Sequence, residues 1–160
     1  MTRREALFAT AALSACEKKA NRPAHLKMGE KATAGPLTYD VIAANWSSHA
    51  GDGLAARFPA NRFYLVRVKI ENHGKAEAFV PTLSIEDKSG NLHVEIADAA
   101  GIPDWVGVVR QVKPAGALEG VFVFDVASGS YSLLIPAEDT GEALVYIDLP
   151  YQIETPAPGA

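Results

Sequence analysis

The chain has 160 residues, a length that suits one domain and not comfortably two. Hydrophobic residues make up 48% and charged residues 21%, an ordinary globular balance that excludes a chain disordered throughout. The formal net charge is −4, which argues against nucleic acid as a partner, because a phosphate backbone wants a basic field.

Residues 1–15 read as an export signal. Arg3 and Arg4 are a basic start, and residues 6–13 (ALFATAAL) are an apolar run. That run is shorter than the roughly 20 residues of a permanent span and suits a signal core followed by small residues. Leu13-Ser14-Ala15-Cys16 resembles the lipobox of bacterial lipoproteins, and Cys16 is the single cysteine. The resemblance implies cleavage before Cys16 and lipidation of its thiol (diacylglycerol, then further acylation such as palmitate), with membrane attachment through that lipid. Two adjacent arginines also resemble a twin-arginine signal, so the export route stays open between that and the general one. Residues 16–27 carry scattered charge and little apolar periodicity, and read as the lipidated cysteine followed by a flexible tether.

The folded body is expected over residues 28–150. A short edge strand is predicted at 28–32, a turn at Gly35-Pro36 and an alternating strand over 37–46. Residues 47–62 hold Gly51, Gly53 and Pro59 and form a long connection. The clearest strand follows: Tyr64, Val66, Val68 and Ile70 on one face, Arg67, Lys69 and Glu71 on the other, with Phe63 and Leu65 as apolar exceptions. Asn72-His73-Gly74 is expected to reverse the chain through residues that tolerate positive φ. Pro81 marks an edge strand, a bulge or a switch between sheets. Asp87-Lys88-Ser89-Gly90-Asn91 predicts a hairpin turn. Residues 97–107 read as a loop with Trp105 on the sandwich edge, and 108–112 as a short strand. Lys113-Pro114-Ala115-Gly116 is a turn. Residues 117–126 form a second long strand whose outer face is either covered or a binding patch; Gly120 there allows a close approach. Two further strands precede a disordered tail over 151–160. Eight or nine short strands and no helical period predict an all-β, immunoglobulin-like antiparallel β-sandwich.

Met28-Gly29-Glu30, the strand ending Asn72-His73-Gly74-Lys75, the hairpin Leu83 to Gly90 and Pro114-Ala115-Gly116 before Val121-Phe122-Val123-Phe124 occur in an order that resembles a known pattern. It is similar to the bacterial family of exported immunoglobulin-like domains catalogued only as a domain of unknown function. That family includes many small lipoproteins and is similar in fold to the mycobacterial secreted immunoprotective antigen. The resemblance covers residues 28–149 and implies a sandwich, export and surface display, with no catalytic residues to carry over.

Chemistry is sparse. His25, His49, His73 and His93 lack zinc-site spacing. The metal alternative is His49 with Asp52, joined by His73 or His93 across the fold. No metal, cofactor or catalytic residue is assigned, and no nucleophile, Walker or dinucleotide motif is present. Trp46, Phe58 and Trp105 lie in or beside long loops, where this architecture carries binding, and are candidate partner-binding residues. The reading is a non-enzymatic, lipid-anchored binding module of the cell envelope, facing periplasm or exterior, whose partner is an envelope protein or glycan. The alternative is a periplasmic small-ligand or metal-binding protein.

Overall fold

The computed structural model describes residues 23–151. The expected signal, Cys16, residues 17–22 of the expected tether and all of the expected tail beyond Tyr151 lie outside the described residues. Eleven strands are described: β1 (Ala24–Lys27), β2 (Ala32–Ala34), β3 (Leu37–Ser47), β4 (Phe63–Asn72), β5 (Ala78–Phe79), β6 (Ser84–Asp87), β7 (Leu92–Val94), β8 (Gln111–Val112), β9 (Ala117–Asp125), β10 (Tyr131–Pro136) and β11 (Ala143–Asp148). One sheet has the order β1-β11-β10-β6-β7 and the other β2-β3-β4-β9; β5 and β8 pair separately. The architecture is the expected immunoglobulin-like β-sandwich. Its one departure from antiparallel pairing between named strands is β1, which runs parallel to β11.

β4 is central because its alternation is strict. Tyr64, Val66, Val68 and Ile70 are at most 1% exposed. They meet Phe122 and Phe124 of β9 on their own sheet, with Ile85, Leu133, Ile135 and Ile147 filling the core from the other. Packing this complete drives the fold, since each fully buried large apolar side chain contributes about 1.5–3 kcal/mol before entropy is counted. β3 pairs with β4 along its length except at a bulge between Val41 and Ala43, which leaves Ile42 outside.

The apolar exceptions on β4 have a second home. Phe63 and Leu65 face away from the main core, together with Val121 and Val123 of β9. The segment 96–106 folds over them and inserts Ile96, Ala99, Ile102 and Trp105. It also satisfies the free edge of β9: Ile96 N–H donates to Val123 O at 2.8 Å, and Val121 N–H to Asp104 O at 2.8 Å. Gly120 permits this approach, because a Cβ there would lie 2.4 Å from Val106 Cγ1 and 2.6 Å from Asp104 O. The outer face of β9 is therefore covered, and Trp105 lies over the sheet face rather than on the sandwich edge.

Several boundaries differ from expectation. β1 occupies Ala24–Lys27, where tether was predicted. Its side chains are mostly exposed, so no apolar period marks it, and backbone pairing to β11 holds it instead. Residues 28–31 are turn, and the edge strand β2 starts at Ala32. Only Gln111–Val112 of the predicted 108–112 strand pairs. Around Pro81 the chain leaves β5 and enters the five-stranded sheet as β6, so the proline marks a sheet switch. None of Asn72, His73 and Gly74 takes a positive φ. The reversal comes from the buried Asn72 amide: its nitrogen donates to Ala76 O at 2.9 Å and Val112 O at 2.7 Å, while its oxygen accepts from Gly74 N–H at 2.8 Å. In the turn Lys113-Pro114-Ala115-Gly116 the left-handed position falls on Ala115, φ 57°, and not on the glycine.

Candidate functional site

The loop joining β3 to β4 stands at one end of the sandwich. A bridge between Ala50 and Arg57 closes it into a small ring, with a short 3-10 turn at Gly53–Ala55 inside. Arg57 bolts the ring to the outer-face segment: its guanidinium donates to Asp98 Oδ1 at 3.0 Å, Asp98 O at 2.8 Å and Ala100 O at 3.3 Å. The Ala100 amide first, then the Arg57 guanidinium, holds the Asp98 carboxyl below its usual range. At the loop's far end, Asp125 accepts from the amides of Ala60 and Asn61 at 2.7 and 2.8 Å. A loop tied at so many points presents side chains in fixed positions, and two large apolar ones are among them. Phe58 is 74% exposed and Leu54 wholly so.

The three predicted aromatics do not form one cluster. Trp46 is buried in the main core, stacked on Tyr64 at 4.3 Å and tilted against Tyr131 at 6.3 Å. Trp105 packs in the second core on the sheet's outer face. Trp46 therefore closes the loop end of the main core, Trp105 covers the outer face of the sheet, and of the three Phe58 alone is displayed, tilted against His49 at 6.1 Å. The His49–Asp52–His73 metal set is not assembled. His49 and Asp52 border a hollow of about 190 Å³ at the loop end, whereas His73 follows the far end of β4. His93 is engaged elsewhere, 3.2 Å from Asp87. Among the described residues no group of three His, Cys, Asp or Glu is placed to hold a metal.

A polar row crosses the outer face of the five-stranded sheet. His25 Nδ1 lies 2.8 Å from Asp148, and the Ser132 hydroxyl donates to the same carboxylate oxygen at 2.7 Å. Burial raises the Asp148 carboxyl, but the bonds from His25 and Ser132 outweigh it, and the net shift is downward. His25 stacks on Tyr146 at 5.0 Å, and the Tyr146 hydroxyl donates to Glu86 at 2.5 Å. That hydrogen bond, with burial second, pushes Tyr146 up to about 12. Serine, histidine and aspartate meet here, yet both Ser132 and His25 bind Asp148, so this row does not supply the nucleophile-to-base contact that would activate the serine.

A buried ion pair is the feature sequence reasoning missed. Arg110 and Glu95, 2% and 4% exposed at their side chains, form two parallel bonds of 2.8 Å. Glu95 also accepts the Leu83 amide at 2.8 Å, and Arg110 donates to Pro81 O at 3.2 Å and lies 4.8 Å over the Phe122 ring. The pair fixes the sheet switch at Pro81 from both sides. Its only signal in sequence was a charge inside each of two apolar runs, Val94-Glu95-Ile96 and Val108-Val109-Arg110-Gln111-Val112.

Two packed sheets, a chain that changes sheet between β5 and β6 and a displayed end loop define an immunoglobulin-like β-sandwich. The family model described as "Domain of unknown function (DUF4352)" matches residues 26–143, and the chain belongs to that family. Among curated proteins none matches it. In fold it is similar to MPT63, a secreted protein from Mycobacterium tuberculosis, with 16% identity, a TM-score of 0.59, and coverage of 81% of this chain and 99% of that one. It is also similar to a β-sandwich protein from Clostridium difficile 630, with 11% identity, a TM-score of 0.55 and coverage of 84% and 99%. A third likeness is to a candidate lipoprotein, ycdA, from Bacillus subtilis, with 13% identity and a TM-score of 0.55, over 78% of this chain and 39% of that one. At these identities the likeness concerns the fold.

Proposed function

We propose that this protein is a non-enzymatic, lipid-anchored module of the cell envelope that binds an envelope protein or glycan through the loop carrying Phe58. The observation that carries the reading is the exposure of Phe58 and Leu54 on a loop clamped by Arg57 and Asp125. Pre-ordered apolar side chains bind at a lower entropy cost than mobile ones. The lipobox at Cys16 supports the anchor, and the secreted and candidate-lipoprotein neighbours support an extracytoplasmic setting.

Two measurements test the reading. Cells labelled with radioactive palmitate should yield a labelled, membrane-bound protein, and Cys16→Ala should remove both label and membrane retention. A photo-crosslinking residue at position 58 should give a discrete adduct in intact cells, whereas one at the exposed position 144 should not. An unlabelled wild-type protein refutes the anchor; equal or absent adducts at both positions refute the contact surface.

A further inference from the structure

At the end opposite the Phe58 loop the two sheets part around a cavity of about 190 Å³. Leu37 and Tyr39 of β3, Ala78 and Phe79 of β5, Pro136 of β10 and Glu138 of the loop that follows line it. An apolar cavity of about 150 Å³ accommodates benzene, so this one has room for a single ring or a short aliphatic body. Two polar groups mark it. Tyr39 is 1% exposed, and burial, opposed by Arg110 and reinforced by Glu138, raises it to about 12, so its hydroxyl keeps its proton. Glu138 reaches over Gly35, where one carboxylate oxygen lies 2.1 Å from the position a Cβ would take. Gly35 has φ 55° and no side chain, and the carboxylate fills the space thus left. Phe79, 65% exposed, presents aromatic surface beside this carboxylate-bearing wall.

We propose that this cavity is a binding site for a small organic cation, with an apolar body about the size of a benzene ring and a primary ammonium group. The body displaces water from between Leu37, Ala78 and Pro136. The ammonium group forms a charge-assisted hydrogen bond to the Glu138 carboxylate and lies against the Phe79 ring. The site uses none of the residues of the Phe58 loop and stands independently of the anchor.

Phenethylammonium chloride is the probe, and 2-phenylethanol is its uncharged counterpart. Each is titrated into the ¹⁵N-labelled full-length chain and followed by amide shifts. Phenethylammonium is expected to give saturable shifts confined to residues 34–39, 78–81 and 136–141, and to bind more tightly than the alcohol. Glu138→Gln, on an exposed loop where folding is not at stake, should weaken the ammonium compound about five-fold, the scale of a partly exposed charge pair, and leave the alcohol unchanged. Ala78→Leu should block both. Shifts elsewhere, an absence of saturable shifts, or equal ammonium affinity in Glu138→Gln would overturn the proposal.

Discussion

Replacing Glu95 with alanine should be among the most damaging single changes in this protein. The substitution leaves the Arg110 guanidinium, 2% exposed, without the two 2.8 Å bonds that neutralise it. Removing one partner of a buried ion pair costs about 3–5 kcal/mol. The Leu83 amide also loses its acceptor, which by itself costs about 1–3 kcal/mol. The two losses overlap, because water entering the gap serves both groups, so a total of about 4–5 kcal/mol is expected. That is a third or more of the stability of a domain held by about 5–15 kcal/mol, and nearly all of it at the low end. The assay is urea unfolding followed through Trp46 and Trp105, with the slope m checked for constancy. The double variant Glu95→Leu/Arg110→Met removes both charges and should recover the ion-pair part of the loss, since apolar replacement of a whole buried pair is often close to neutral, while the Leu83 amide still lacks its acceptor. A single-variant loss under about 1 kcal/mol, the range of a surface pair, would refute the reasoning. So would a double variant no better than Glu95→Ala.

Ala115→Gly should stabilise the fold by about 1 kcal/mol, because an alanine at φ 57° carries left-handed strain that glycine does not; a urea midpoint no higher than wild type would contradict this. Stability should also fall at alkaline pH. Burial holds Tyr39 at about 12, and the bond to Glu86 holds Tyr146 at about 12, against an ordinary value of 10.0. The folded chain thus keeps protons that the unfolded chain releases above pH 10, so this stability is complete below pH 10 and is lost as pH rises toward 12. Urea midpoints at pH 8, 10 and 11 check it, and a flat profile across the last two would count against the assignment.

Residues whose role depends on period were legible in the sequence. Tyr64, Val66, Val68 and Ile70 declare a core face because side chains alternate along a strand, and Pro81 declares a break because it lacks an amide proton. Gly120 was legible too, as a place of close approach. The outer-face cover was legible in half: Phe63, Leu65, Val121 and Val123 announce apolar surface, but not that 96–106 folds onto it. That pairing is long-range and carries no local signature. β1 was hidden for a related reason. Its exposed side chains obey no pattern, and backbone bonds to a partner strand 121 positions later along the chain decide it. Trp46, at the end of a strand beside a long loop, and Trp105, within a loop, read as candidate partner-binding residues, yet area decides their place: large rings gain more from packing into the two cores than from exposure. The Glu95–Arg110 pair could not be found by spacing, since what joins the two is the sheet switch between β5 and β6.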